Sequence, residues 1–127
     1  MDQLLRLAEE HGLHIVERAG RTRGGFDPRS RTIRLDPGMS ARTTRSVLAH
    51  ELAHAVLGHT PTSQPTLRER QERHADEWAA RLLITPAGYA RAETVRGEHA
   101  PSLAFELDVT VELVLAFQRL LLRERVA

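Results

Sequence analysis

The first third of the chain shows helix-like and then strand-like patterns of apolar residues. Over residues 2–11 the leucines lie on one helical face and the charged residues on the other, which predicts an amphipathic helix ending at Gly12. Residues 13–17 are short and β-branched and predict a strand. Residues 27–30, Asp-Pro-Arg-Ser, are a turn signal before residues 32–35, which alternate with period two. We therefore expect a hairpin whose second strand lies at a sheet edge.

Two long helices follow, and each has end signals in the sequence. Ser40 is a candidate N-cap for a helix over about residues 41–57, which stops near Gly58. A second helix is predicted over about residues 66–83, because the Thr-Pro pair at 85 and 86 disfavours its continuation.

The C-terminal part of the chain is predicted to be helical as well. Shorter helices are expected near residues 101–107 and, with Thr110 as a candidate N-cap, over about residues 110–123. A length of 127 residues suits one hydrophobic core, and no long linker interrupts the pattern. We therefore expect residues 1–127 to form a single domain with a helical region over about residues 87–127.

Composition narrows the chemistry that the chain can carry. It has no cysteine, which excludes disulfides and thiolate zinc sites, so a transition metal must be held by His, Asp or Glu. The N-terminus is acidic without a long apolar run, and charged residues interrupt the most apolar stretch, residues 107–122. Neither a signal peptide nor a membrane span is predicted, and we expect a cytoplasmic protein with no membrane partner.

The charge pattern raises a nucleic-acid hypothesis that the rest of the sequence does not favour. All 18 basic residues are arginines, six of them from Arg18 to Arg34, and the formal net charge is +1. A solvated hairpin surface explains this basic stretch, and a DNA-binding patch is the alternative. Because the stretch has few interleaved aromatic residues and the net charge is near zero, we expect no direct contact with nucleic acid.

One segment of the first long helix carries the His-Glu-x-x-His pattern of zinc peptidases. His50 and His54 lie about 40° apart around a helix, so both imidazoles can reach one ion. Glu51, about 100° from His50, would lie beside that ion, where it can take a proton from an attacking water. The alternative is a pair of histidines without a metal, since seven histidines and twelve glutamates also produce this spacing by chance.

A third ligand would decide between these interpretations, and zinc proteases supply it in two ways. One class needs a glycine at position 57 and a histidine at position 60, where this chain has Leu57 and Thr60. The other class takes a glutamate from a following helix. Here Glu72 and Asp76 lie on one face of the second long helix, with Asp76 inside its apolar stripe. A buried carboxylate needs a partner, which favours a site role over a solvated charge.

We therefore expect Glu72 to bind the metal and Asp76 to accept a hydrogen bond from the free ring nitrogen of one histidine ligand. Other polar residues are weaker candidates. His59 would lie about 140° from the second motif histidine on a continued helix, which favours a cap or loop role. His74 is interpreted as a surface residue. Tyr89 is either an oxyanion-stabilising residue or part of the core.

The motif and the helix after it resemble a known family. Residues 50–59, His-Glu-Leu-Ala-His-Ala-Val-Leu-Gly-His, and residues 72–84, Glu-Arg-His-Ala-Asp-Glu-Trp-Ala-Ala-Arg-Leu-Leu-Ile, are similar to the ImmA/IrrE-type metallopeptidases. The similarity is closest to the single-domain actinobacterial and phage type. It is strong over about residues 20–86 and weaker through residues 103–110.

The resemblance implies ligands, a fold and a cellular role. His50, His54 and Glu72 match the family's Zn²⁺ ligands, Glu51 matches its general base, and Asp76 stands where the family has Asp or Asn. The implied fold is a compact α+β, zincin-like domain. In it a small antiparallel sheet packs on the active-site helix and a second long helix, with a helical C-terminal region. Many relatives carry a helix-turn-helix domain, for which this chain has no room, so any link to DNA would come through a partner.

Three hypotheses about function follow, and they differ in what the site does. The favoured one is a zinc-dependent endopeptidase that cleaves a transcriptional repressor or another regulatory protein of a phage or mobile element. Residues 32–35 would hold the substrate backbone by strand addition. The alternative is a non-catalytic metal-binding protein that antagonises a repressor by binding it. A DNA-binding module that uses the basic hairpin is the third and least favoured.

Overall fold

A computed structural model describes residues 1–126, in which one helix and three strands precede a run of five helices. The elements are α1 (Asp2–Glu10), β1 (His14–Glu17), β2 (Gly24–Asp27), β3 (Thr32–Leu35), α2 (Ala41–Val56), α3 (Pro65–Leu83), α4 (Pro86–Arg96), α5 (Ala100–Leu107) and α6 (Val111–Val126). The predicted α+β class and the helical C-terminal region are confirmed. No helix within these residues combines the length and the apolar character needed to cross a lipid bilayer.

The turn between β2 and β3 forms because one side chain organises its backbone. The Asp27 carboxylate accepts hydrogen bonds from the Arg29 backbone N–H at 3.0 Å and from the Ser30 hydroxyl at 2.9 Å. Arg31 then adopts a left-handed conformation with φ of 55°. This local turn chemistry pairs β2 with β3 in antiparallel fashion, so the predicted hairpin is confirmed.

The sheet differs in two respects from the expectation of an antiparallel sheet with residues 32–35 at its edge. The strand order is β1-β3-β2, so β3 is central, and β1 pairs with β3 in parallel, which makes the sheet mixed. Ile33 and Leu35 of β3 are 0% and 4% exposed. The strand with the most buried face takes the centre of the sheet, because there both of its edges are paired and its apolar side chains are covered.

Helix α2 lies between the sheet and α3 and carries the motif residues. Its N-terminus is capped by the Ser40 hydroxyl, which accepts from the Thr43 backbone N–H at 3.2 Å. Leu48 and Leu52 are fully buried in the same core as Ile33 of β3. Because apolar residues anchor one side of α2 in this core, its two histidines face the side where α3 packs.

Helix α4 lies in the region that was expected to be helical, but no individual helix was predicted there. The Thr-Pro pair at 85 and 86 ends α3, but it also begins α4. The Thr85 hydroxyl accepts from the Gly88 backbone N–H at 3.0 Å, and Pro86 occupies the first turn, where its missing N–H costs nothing. The same two residues therefore act as a stop signal for one helix and as a start signal for the next.

The packing of α3 against α6 includes a charged contact. Glu77 of α3 is 7% exposed. Its carboxylate accepts hydrogen bonds from Arg119 at 3.2 Å and from Arg123 at 2.5 and 3.1 Å. The side chain therefore joins the C-terminal helix to the helix that also carries Glu72 and Asp76.

Replacing Glu77 with glutamine is expected to lower the free energy of unfolding by about 1–2 kcal/mol at neutral pH, since a charged acceptor is lost and its arginine partners are partly exposed. Hydrogen bonds from Arg123 lower the folded pKa of Glu77 from its ordinary value of 4.5; burial opposes this effect, and Arg119 adds to it. The stabilisation is therefore present above about pH 4.5 and is lost as the pH falls through the folded pKa.

Urea unfolding of the wild type and E77Q at about pH 7 and about pH 3 measures this effect. The difference in stability should shrink at the lower pH. A difference of the same size at both pH values would contradict the assignment.

Candidate metal centre

Three side chains from α2 and α3 converge on one point. The Nε2 atoms of His50 and His54 are 3.1 Å apart. The Glu72 carboxylate reaches both rings, with Oε2 2.9 Å from His50 Nε2 and Oε1 3.1 Å from His54 Nε2. The four-residue spacing on α2 and the packing of α3 against it thus bring together two imidazole nitrogens and a carboxylate.

This donor set fits a zinc ion. Zn²⁺ binds His nitrogen and carboxylate oxygen at about 2.0–2.1 Å in tetrahedral geometry, which separates neighbouring donor atoms by about 3.3 Å. The observed separations of 2.9 to 3.1 Å are close to that edge length. Three protein donors also leave a fourth position open, as in zinc sites that carry out chemistry.

Electrostatics at this point favour a positive charge. Burial lowers the pKa of His50, but hydrogen bonds with Asp76 and Glu72 outweigh it and raise that pKa to about 10. Hydrogen bonds with His50 and His54 hold the pKa of Glu72 well below its usual range, although burial opposes them. The carboxylates around the two rings therefore stabilise a cation where the three donor atoms meet.

The second ring nitrogen of each motif histidine also has a partner. His50 Nδ1 is 2.8 Å from Oδ1 of Asp76, which lies one turn beyond Glu72 on α3. His54 Nδ1 is 3.0 Å from Nδ1 of His59. The sequence correctly indicated a loop position for His59, but its contact with His54 was missed.

Glu51 lies beside the convergence point under the edge of the sheet. Glu51 is 6% exposed. One of its carboxylate oxygens and one ring nitrogen each of His50 and His54 lie within 4.8 Å of one another. Burial raises the pKa of Glu51, and the two histidines partly offset that rise.

A Cβ at Gly24 would lie 3.3 Å from Glu51 Oε2 and 2.6 Å from Val47 Cγ1. Only glycine lets β2 pass this close to α2, because the Val47 side chain leaves no room for a Cβ.

These residues lie in a cleft of about 610 Å³. Strand β2, the motif face of α2, the loop after α2, the first half of α3 and the start of α6 form its walls. Arg23 and Glu112 both line the cleft and form an ion pair of 3.3 Å. One wall of the cleft is therefore an edge strand of the sheet, and the opposite wall is α3.

Strand β2 is the sheet edge that borders this cleft, so the expectation that residues 32–35 hold a substrate by strand addition is wrong. The Asp36 N–H donates to the Arg23 carbonyl at 2.9 Å. In an antiparallel ladder hydrogen-bonded pairs alternate, so Gly25 and Asp27 bond to β3, and the backbone groups of Gly24 and Phe26 point away from it. Of these outward groups, the Gly24 carbonyl already accepts from the Thr22 hydroxyl at 2.7 Å. The Gly24 N–H and the backbone groups of Phe26 lie on the free edge, where another strand can pair with them.

Two weaker candidates are placed outside the centre. Tyr89 is 5% exposed and packs against Phe117, and its hydroxyl accepts from Gln118 at 3.1 Å. It is therefore a core residue and not an oxyanion-stabilising one. His74 is exposed on α3 as expected, and its ring stacks on His59.

Several arginines of the basic stretch hold the fold together. Arg34 donates to the Arg18 carbonyl at 2.7 Å, to Asp36 at 2.6 Å and to the Thr22 carbonyl at 2.5 Å. Arg31 donates to the His11 carbonyl at 2.6 Å. Half of the six arginines, counting Arg34, Arg31 and the ion-paired Arg23, thus have structural partners, which weakens the DNA-binding hypothesis.

Comparison with known proteins agrees with this geometry. A family model described as Peptidase_M78, IrrE N-terminal-like domain, matches residues 8–117, a span that includes all of α2 and α3. A search of curated proteins returned no match. Since the family model covers most of the chain and the His-Glu-x-x-His group lies inside it, the protein belongs to the IrrE N-terminal-like family of metallopeptidases.

Proposed function

We propose that this protein is a zinc-dependent endopeptidase that acts in the cytoplasm on a transcriptional repressor or another regulatory protein of a phage or mobile element. The observation that carries the proposal is the convergence of His50 Nε2, His54 Nε2 and the Glu72 carboxylate within 3.1 Å of one another, with Glu51 beside them in an open cleft. A purely structural metal site has no need of a buried carboxylate that is next to the donor atoms.

His50, His54 and Glu72 would hold the zinc, and all three residues line the cleft. Zinc, when bound, would polarise the scissile carbonyl and lower the pKa of water. Asp76 would keep the ring proton of His50 on Nδ1, so that Nε2 presents its lone pair.

Glu51 would move the proton. Its carboxylate takes a proton from the attacking water as the water oxygen bonds to the scissile carbonyl carbon, and it returns the proton to the leaving amine nitrogen as the C–N bond breaks. Burial raises the pKa of Glu51. A carboxylate with a raised pKa is a stronger base, which suits this role near neutral pH.

The β2 edge would position the substrate. An extended peptide that pairs with the Gly24 N–H and the backbone groups of Phe26 would run along the cleft. Because Gly24 approaches Glu51 closely, this pairing brings a peptide bond next to the general base. The backbone of the substrate supplies these contacts, so its sequence preference would come from side chains in the cleft.

A protein partner is favoured over DNA as the target. The resemblance to ImmA/IrrE-type proteins supports a repressor as substrate, and the cleft suits an extended polypeptide. Structural partners of Arg23, Arg31 and Arg34 leave fewer cations for phosphate contacts. A repressor that is itself bound to DNA would provide the link to transcription.

Metal content tests the proposal directly. Native mass spectrometry of the purified protein should show one zinc per chain, and dialysis against a chelator should remove both the metal and any peptidase activity. Restoring zinc should recover the activity. A protein that carries no metal after purification and does not take up zinc would rule the proposal out.

A further inference from the structure

His59 contacts His54, one of the two motif histidines, but has no role in the proposed reaction. Its Nδ1 atom is 3.0 Å from Nδ1 of His54, and the two ring centroids are 5.2 Å apart. In His50, Nδ1 is instead hydrogen-bonded to the Asp76 carboxylate. The two motif histidines therefore have different partners, one an anion and the other an imidazole.

The backbone at the end of α2 explains why His59 reaches back to His54. Gly58 has φ of 70°, its N–H donates to the Ala55 carbonyl at 3.3 Å, and the His59 N–H donates to the His54 carbonyl at 3.0 Å. These two bonds form a Schellman motif, which brings the second residue beyond the helix over the last turn. The chain reverses at Gly58, so His59 does not follow the angular position of a continued helix.

The direction of the hydrogen bond follows from what His54 Nε2 faces. That atom points toward His50 Nε2 and Glu72 Oε1, and it can bind a cation only without a proton. The ring proton of His54 must then sit on Nδ1 and be donated to His59 Nδ1. His59 in turn carries its own proton on Nε2.

A second contact holds the His59 ring in place. Its other neighbour is His74 of α3, with ring centroids 6.2 Å apart and planes inclined by 24°. His59 thus lies between the metal centre and an exposed residue of α3. Its orientation is set by the helix end on one side and by α3 on the other.

We propose that His59 is a positioning residue for the metal centre: it accepts the Nδ1 proton of His54 and thereby holds His54 Nε2 toward the zinc. This inference rests on the zinc site of the proposed function. Partners of this kind orient a ligand ring and fix its tautomer, and their loss weakens metal binding by about 10–100-fold.

Two substitutions separate the acceptor from the ring. His59→Phe keeps an aromatic ring against His74 but removes the acceptor, and His59→Asn loses the ring but retains an oxygen acceptor near the position of Nδ1. Zinc affinity is measured by competition with a chromogenic chelator, and thermal unfolding of the metal-free proteins checks the fold. We expect a dissociation constant about 10–100-fold higher for H59F and within about threefold of wild type for H59N.

His74→Ala is the matched control, because it removes the neighbouring ring and leaves the acceptor. Its zinc affinity should stay within about threefold of wild type. The inference is overturned if H59F binds zinc as tightly as wild type, or if H59N binds as weakly as H59F. In either case the proposed function is retained as long as the wild-type protein binds zinc. A wild-type protein that binds no zinc overturns both the proposed function and the role of His59.

Discussion

Replacing Glu51 with glutamine is expected to reduce peptide cleavage by about 10²–10⁴-fold while the protein still binds one zinc per chain. Glutamine has nearly the same shape as glutamate but cannot take a proton from water. Glu51 is buried, and the three proposed ligands are other residues, so the fold and the metal centre should be retained. The loss would therefore report on proton transfer alone.

Cleavage is measured with an unfolded probe protein such as casein, at equal zinc content for wild type and E51Q. Native mass spectrometry supplies the zinc measurement and circular dichroism confirms the fold. Equal cleavage rates for the two proteins would show that Glu51 is not the general base. Once a target repressor is known, equal relief of repression by wild type and E51Q would favour the alternative of a non-catalytic antagonist.

Replacing Glu72 with alanine is expected to weaken zinc binding by more than about 100-fold. This exceeds the loss of about 10–100-fold that follows when a residue hydrogen-bonded to a metal ligand is removed. The substitution leaves two imidazoles, which are too few donors for a stable zinc site. Glu72 is also the contact between α3 and both histidines, with distances of 2.9 and 3.1 Å. Peptidase activity should fall in parallel with zinc content.

Glu69 offers a matched control on the same helix. It is exposed and does not line the cleft, so Glu69→Ala removes one negative charge from α3 without touching the centre. Its zinc affinity should stay within about twofold of wild type, since only long-range screened electrostatics change. If E69A and E72A lost zinc to the same extent, the effect would be one of overall charge and the ligand assignment would be wrong.

Local spacing in the sequence was enough to predict much of the centre. The i and i+4 relation places His50 beside His54, and likewise Glu72 beside Asp76, because a helix puts such side chains on one face. The ends of α2 were also predictable, since Ser40 and Gly58 act on neighbouring backbone groups. The turn at Asp27 belongs to the same class, since its carboxylate bonds only to residues two and three positions on.

Contacts between distant segments were not predictable from local patterns. The central position of β3 depends on how well its apolar face is covered, and packing against α2 provides that cover. That choice leaves β2 as the edge strand beside the cleft and moves the proposed substrate-binding backbone from residues 32–35 to Gly24 and Phe26. Helix α4 was missed because Thr85 and Pro86 were assigned one role, although capping lets them end one helix and begin another.

The sequence by itself determined the chemistry available to this protein: a cysteine-free chain with His50, Glu51 and His54 on one helix and a carboxylate pair on the next. Only the tertiary structure decided how these groups meet. Packing of α3 on α2 brings Glu72 to both rings, and the Schellman turn brings His59 to His54. The physical reason is that side-chain type and helical periodicity are local properties, whereas a metal centre requires donor atoms from separate elements to converge within about 3 Å.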